Sequence, residues 1–282
     1  MYNEAGNIGS VLKDLTSYVP TCSPGEIIIV NDGSTDNSAA IVEKFIEEGH
    51  EMIQLIHHDR NKGYGAALKT GIKISKLDYV ATFDADGQHD LSQLSLLVSS
   101  FPFDLVIGER RFNEGAPISR AAGRIFFKLF TWFFIGSNLR DLSSGLRVWK
   151  KKEIIKFFDY LPDGFSFSTT SLLLSKIMNL NVIWIPIKIK PRSNGKSLLT
   201  LRKGISFLKL VFKIMLLFKP LRLFIPIASS LFFVSIYFFV YSLVKVDEVS
   251  IKSLITGLSA INIFLTGLIT QSLAVDRRRT LK

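Results

Sequence analysis

The segment DADGQHD, residues 84–90, sets two carboxylates, Asp84 and Asp86, two residues apart and follows them with the carboxamide of Gln88. The preceding YVATF is apolar and rich in strand formers, so the acids fall at the mouth of a predicted strand. Oxygen donors grouped in this way suit Mg2+ or Mn2+, and such a cation is most useful where diphosphate has to leave. Residues i and i+2 share a face of an extended strand, although a turn after Phe83 would disturb that alignment. A salt-bridged surface turn is the plainer reading of the same residues. His89 fits an outer or exposed role. The other histidines are His50, His57 and His58, and the single cysteine is Cys22, so the chain has no zinc-ligand set and no internal disulfide.

A second polar turn, NDGSTDNS, places Asp32 and Gly33 after the apolar run EIIIV. Asp32 is positioned to accept hydrogen bonds from a base or ribose, while an Asx turn and helix cap would use the same residues structurally. Arg110, Arg111, Arg120 and Arg124 precede IFFKLFTWFF, an arrangement suited to gripping a phosphate beside an apolar tail, or to a basic helix face beside a packed one. DLSSGLR supplies Asp141, Ser144, Gly145 and Arg147. KPRSNGKS supplies Arg192, Gly195, Lys196 and Ser197, a glycine-containing basic loop able to close over phosphates or to serve as an ordinary surface loop.

These groups need a scaffold, and the pattern predicts one. Strand-like and helix-like segments alternate three times: EIIIVND, then STDNSAAIVEKFIEEGH, then EMIQLIHH, NKGYGAALKTGIKIS, LDYVATFDAD and PFDLVIGERR. Polar residues collect beyond the C-terminal ends of the strands, where α/β domains with mostly parallel sheets bind ligands. This α/β domain is expected to fill residues 1–200.

The last third differs. Residues 223–244 and 253–275 are uncharged apolar runs joined by KVDEVSIK. A 22-residue helix reaches about 33 Å, enough to cross a hydrocarbon core of about 30 Å. The reading is a transmembrane hairpin over 223–275, a buried pair of soluble helices being the alternative. Lys209, Lys213, Lys219 and Arg222 precede it and Arg277, Arg278 and Arg279 follow in a basic tail, 276–282, which puts both termini in the cytoplasm. Residues 201–222 form an amphipathic segment expected to lie in the membrane interface or to pack on the soluble domain. The chain has 282 residues, of which 48% are hydrophobic and 23 are Phe, with net charge +11. Because the basic residues alternate with apolar runs near the C-terminus, the charge favours an anionic membrane surface and argues against nucleic acid.

Taken together, YNEAGNI, VNDGSTDNS, NKGYGAALKTGI, DADGQHD, GERR and DLSSGLRVW resemble the inverting family 2 glycosyltransferases, and within them the polyprenyl-phosphate sugar transferases. The resemblance extends over nearly the whole chain, hairpin included. It implies a GT-A fold with Tyr2, Asn3, Glu4, Asp32, Lys62 and Asp84 around the nucleotide and Mg2+ or Mn2+ on Asp84, Asp86 and Gln88. It implies catalytic roles for Asp86 and Asp141, the latter near the sugar. Acceptor-phosphate contacts are expected from Arg110, Arg120, Arg124, Arg147, Arg192, Lys196 and Ser197. The implied partners are a nucleotide-sugar, UDP favoured over GDP, a polyprenyl phosphate and membrane lipid, with room for a homo-oligomer. The implied place is the inner membrane, with the catalytic domain in the cytoplasm. Transfer to a lipid or polysaccharide hydroxyl, or a non-enzymatic membrane adaptor, are the rival readings.

Three features depart from the family pattern. Met1 stands where an apolar strand and a proline precede YNE, so an upstream strand of about five residues is expected. Thr170 stands where many relatives carry an acid, and Glu109 where a small residue is common.

Overall fold

The computed structural model describes residues 1–19, 25–87, 91–99, 102–110, 132–133, 136, 139–142, 144–188, 201–245 and 250–281. Gln88, Arg120, Arg124, Arg192, Lys196 and Ser197 lie outside the described residues. The chain divides into two compact units, Met1–Phe126 with Asn138–Leu198, and Phe127–Ser137 with Leu199–Lys282. The expected boundary at residue 200 is therefore crossed once: Phe133 belongs with the C-terminal helices, and Arg222 donates to its carbonyl at 3.4 Å.

The first unit runs α1 (Ile8–Tyr18), β1 (Ile27–Asn31), α2 (Ser38–Glu47), β2 (Ile53–His57), α3 (Tyr64–Ile74), β3 (Tyr79–Thr82), α4 (Leu91–Val98), β4 (Leu105–Arg110), β5 (Arg147–Lys150), α5 (Lys151–Ile155), α6 (Phe167–Ile177) and β6 (Val182–Ile187). In α1 the apolar side chains at 8, 11, 12 and 15 recur at helical spacing, and all four are buried. β4 opens with the apolar run Leu105–Ile107, wholly buried as a strand flanked on both edges requires, and ends in Glu109 and Arg110.

The strands form two sheets. β1 pairs with β2 in parallel, Ile27 opposite Ile53 and Asn31 opposite His57. The second sheet has the order β3-β5-β4-β6, with β5 antiparallel to β3 and β4, and β4 parallel to β6. The sheet is thus mixed where a mostly parallel one is expected, because β5 enters between β3 and β4 and reverses direction. A cavity of about 520 Å3 lies between the sheets, lined by Ile28, Val30 and Leu68 on one side and Val80, Phe83 and Val148 on the other. At its end Met1 pairs alongside β1: its amine donates to Val30 O, and Asp32 N–H donates to Met1 O, both at 2.9 Å.

The second unit contains α7 (Leu201–Phe218), α8 (Leu221–Lys245) and α9 (Ile251–Thr280). Val211, Ile214, Met215 and Phe218 make the buried face of α7, and Lys209 and Lys213 are exposed beside Phe212 and Leu216. α8 and α9 have mean hydropathies of 2.2 and 1.7 over their most apolar windows. Their lengths of 25 and 30 residues exceed what a bilayer crossing requires. α9 meets α8 through Ser253, Ala260, Gly267 and Ala274, one small buried residue every seven. Any side chain at Gly267 would run into Phe224. The basic residues 277–279 do not form a separate tail, since α9 continues through them to Thr280; Arg277 donates at 2.8 Å to Leu217 O in the last turn of α7.

Candidate active site

Two loops beside β1 are stapled together by their own polar groups. Asn3 N–H donates to Ser34 Oγ at 3.0 Å, Thr35 N–H to Asn3 Oδ1 at 2.9 Å, Glu4 N–H to Ser38 Oγ at 2.8 Å and Ala5 N–H to Asp36 Oδ2 at 3.0 Å. Asn3 sits at φ 53°, a region that asparagine tolerates better than most residues. Gly33, at φ 71°, faces the Arg60–Asn61 backbone so closely that a methyl group would lie 2.6 Å from Arg60 C. Tyr2 is 45% exposed beside this pair of loops.

Asp32 ties in a third loop. It is 3% exposed, and its carboxylate accepts from Lys62 N–H at 2.9 Å and Gly63 N–H at 2.8 Å. His58 Nδ1 lies 2.7 Å from the same carboxylate, and its Nε2 lies 2.9 Å from Thr70 Oγ1. Burial alone would raise the Asp32 pKa, but the hydrogen bonds from His58, Lys62 and Gly63 outweigh it and hold the carboxyl below its ordinary value. Expected as a base or ribose contact, Asp32 is seen here to anchor the loop that follows β2 through these contacts. Lys62 turns its ammonium to Asp59 at 2.7 Å.

At the ends of β3, β4 and β5 the acids gather. Tyr64, from the start of α3, donates its hydroxyl to Asp84 Oδ1 at 3.1 Å. Burial, and then the charge of Asp84, push the Tyr64 phenol above its usual range, so it stays a donor. The Asp84 carboxylate lies over Gly145, where any Cβ would collide with it. Asp84, over Gly145, and Asp86 two residues on carry carboxylate oxygens, a donor type that Mg2+ and Mn2+ take. Among the described residues, no group of three or more His, Cys, Asp or Glu is placed to hold a metal ion.

Asp141 is engaged from one side by a single arginine. Arg110 donates to it through its backbone N–H at 2.9 Å, its Nε at 2.7 Å and its Nη2 at 2.5 Å. Only 1% of the Asp141 side chain is exposed, against 25% for Arg110, and Asp141 holds φ 28°. The hydrogen bond to Asp141 raises the Arg110 pKa against the effect of burial, and Asp84 and Asp86 add to the rise.

Arg147 requires a correction. It is 1% exposed, at the start of β5, and its guanidinium donates to the carbonyls of Ser144 (2.8 Å), Ser168 (2.6 Å) and Leu142 (2.9 Å). Burial pushes its pKa down to about 10. Expected to grip the acceptor phosphate, it instead fixes the 142–147 turn beneath Asp84 and Asp141. Thr170, discussed as a replaced acid, is wholly buried in α6. The sequence reading missed Tyr64 and His58; the second carries a visible signal, a polar residue one position past a strand end, as Asp32 is.

Comparison with known proteins decides the family. The glycosyl transferase family 2 profile matches residues 1–157. The chain belongs to glycosyl transferase family 2. The GtrB C-terminal hairpin matches residues 219–274 of this family 2 protein, the span of α8 and most of α9. It is 29% identical over 209 residues to the UDP-N-acetylglucosamine–dolichyl-phosphate N-acetylglucosaminyltransferase of Methanococcus voltae, covering 66% of this chain and 82% of that one. It is also 29% identical over 212 residues to the dolichyl-phosphate beta-glucosyltransferase of Saccharomyces cerevisiae, covering 66% and 64%. A mannosyltransferase from Pyrobaculum calidifontis, solved with GDP-Man and Mn2+, matches with a TM-score of 0.53 at 15% identity over 100% of this chain and 83% of that one, and shares its GT-A fold.

Proposed function

We propose that this family 2 glycosyltransferase moves a sugar from a nucleotide-sugar to a polyprenyl phosphate, with inversion at the anomeric carbon. The observation that carries the reading is the joining, in one chain, of a carboxylate site at the strand ends with a membrane hairpin of the GtrB type. A hydrophilic donor and a lipid acceptor would otherwise have no common meeting place.

In the reaction an acceptor phosphate oxygen attacks the anomeric carbon. The bond from that carbon to the β-phosphate oxygen breaks, and nucleoside diphosphate leaves with the electron pair. A phosphate monoester, with a second pKa near 6, is largely dianionic at neutral pH and needs no base to attack. The surroundings of Asp141 agree: three hydrogen bonds from Arg110 occupy its carboxylate and make it an anchor for that arginine. Asp141 aims Arg110, and the quarter-exposed Arg110 guanidinium meets the incoming phosphate. A hydroxyl acceptor would instead require Asp141 as a base.

Asp84 and Asp86 would hold Mg2+ or Mn2+, with Gln88 a further candidate ligand. A cation bound there offsets the charge developing on the departing diphosphate. Tyr64 orients Asp84, and the stapled loops carrying Tyr2, Asn3, Glu4 and Lys62 line the nucleotide side. We take UDP as the favoured nucleotide. The basic ends of α7, α8 and α9 support a cytoplasmic catalytic domain and C-terminus at the inner membrane. The test is a screen of labelled UDP- and GDP-sugars against membranes containing the protein, with and without added undecaprenyl phosphate. Lipid-soluble label that depends on the added phosphate is expected; none from any donor would sink the reading.

A further inference from the structure

The loop between α5 and α6 carries one aromatic side chain in the open. Phe165 is 87% exposed, whereas Leu96, the next most exposed large apolar side chain described in the first unit, reaches 52%. Its neighbours Asp163, Gly164 and Ser166 are exposed and not apolar, so along the loop the ring stands alone. The loop is nevertheless held in place. Ala66 N–H donates to Asp163 O at 3.0 Å, and Lys69 Nζ donates to Asp163 Oδ1 at 2.7 Å and to Leu161 O at 2.5 Å. The start of α3 approaches so closely that a methyl group at Gly63 would lie 2.5 Å from Asp163 O, and one at Gly65 would collide with Pro162 O.

This anchoring lays Phe165 over Tyr64, with ring centroids 5.6 Å apart and planes 14° from parallel. Tyr64 in turn donates to Asp84 at 3.1 Å, so the exposed ring sits one aromatic layer from a carboxylate assigned to the metal. Tyr64 covers one face of Phe165 and leaves the other to a ligand. In a nucleotide-sugar the sugar is bonded to the diphosphate that such a metal holds, which brings it within reach of this ring. A pyranose offers an apolar C–H face rimmed by hydroxyls. That face suits the negative π-face of one aromatic ring in polar surroundings, whereas a polyprenyl chain would need a continuous apolar surface.

We propose that the outer face of Phe165 is the platform on which the donor's sugar ring lies. The inference rests on the nucleotide-sugar reading above, and the experiment scores the two separately. The purified full chain, in detergent with Mn2+, is titrated calorimetrically with UDP, GDP, UDP-glucose, UDP-N-acetylglucosamine and GDP-mannose. For the nucleotide-sugar that wild type binds most tightly, Phe165→Ala should weaken binding by about threefold or more, the effect expected of one lost ring contact. Its affinity for the parent nucleoside diphosphate should not change. Phe165→Trp should retain the sugar-dependent affinity, and Phe165→Leu, apolar but without a ring, should not. Equal losses for diphosphate and nucleotide-sugar, full affinity in Phe165→Ala or Phe165→Leu, or a raised KM for undecaprenyl phosphate with donor affinity intact would each overturn the platform. Wild-type protein that binds none of the five would overturn the nucleotide-sugar reading itself, and this inference with it.

Discussion

Asp86 and Asp141 stand at the same end of one sheet and are asked to do different things. Asp86, in the turn after β3, is assigned to the metal, so Asp86→Ala should abolish divalent-cation-dependent transfer while leaving the unfolding transition unchanged. Full turnover by folded Asp86→Ala at saturating metal would remove it from that role. Asp141 acts through Arg110, which makes the two residues a coupled pair. Asp141→Asn and Arg110→Lys should each lower kcat/KM for the lipid acceptor by about 10- to 100-fold, as misplaced positioning groups do. The double variant should fall no further than the worse single. Independent, multiplying losses in steady-state kinetics would mean that Asp141 contacts the substrates on its own account. Arg147 looks equivalent to Arg110 in sequence, two arginines in motif-like surroundings. Only the structure separates one that reaches the opening from one that binds three carbonyls below it.

At the scale of elements, α3 carries an unused opportunity. Gly71 lies inside this helix on the cavity wall, and a methyl group there would meet Val30 Cγ2 at 3.5 Å and Ile28 Cγ2 at 3.9 Å, ordinary contact distances. Gly71→Ala should therefore stabilise the protein by about 1 kcal/mol through helix propensity alone, raising Tm by about 2–4 °C in a thermal melt. A lower Tm would mean that the wall cannot accept the added methyl. The strands β1 to β4 were legible because each is an apolar run ending in polar residues, and that punctuation also marked Asp32, Asp84 and Asp86. β5 was not, since RVWK is four residues long and its pairing to β3 and β4 is a long-range event with no local signature. β6, VIWIPI, has the β-branched composition of a strand, but a proline inside it and the basic loop that follows blur its signal. The loop-to-loop bonds of Asn3 and the His58–Asp32 contact bring together residues 26 to 32 positions apart, which no spacing rule in the sequence reports.

At the scale of the molecule, one chain combines a family 2 domain with an apolar helical hairpin, and the account stands on their acting together. The basic residues Lys219, Arg222 and Arg277 to Arg279 gather at the ends of α8 and α9, which predicts that the opposite turn faces outward. With Cys22 replaced, Ser250→Cys should react with an impermeant thiol reagent added outside intact cells, and Thr280→Cys should react only after lysis; the reverse pattern would invert the topology. The most direct test of the whole account is the chemistry of the product. Purified protein, reconstituted in lipid with undecaprenyl phosphate, a divalent cation and the nucleotide-sugar it accepts, should release nucleoside diphosphate and form one lipid product. Mass spectrometry of that lipid should give the mass of a single sugar joined to the polyprenyl phosphate, with the anomeric configuration opposite to the donor's, and mild acid should release the sugar. A lipid product that withstands mild acid, or one that forms equally well without polyprenyl phosphate, would contradict transfer to phosphate.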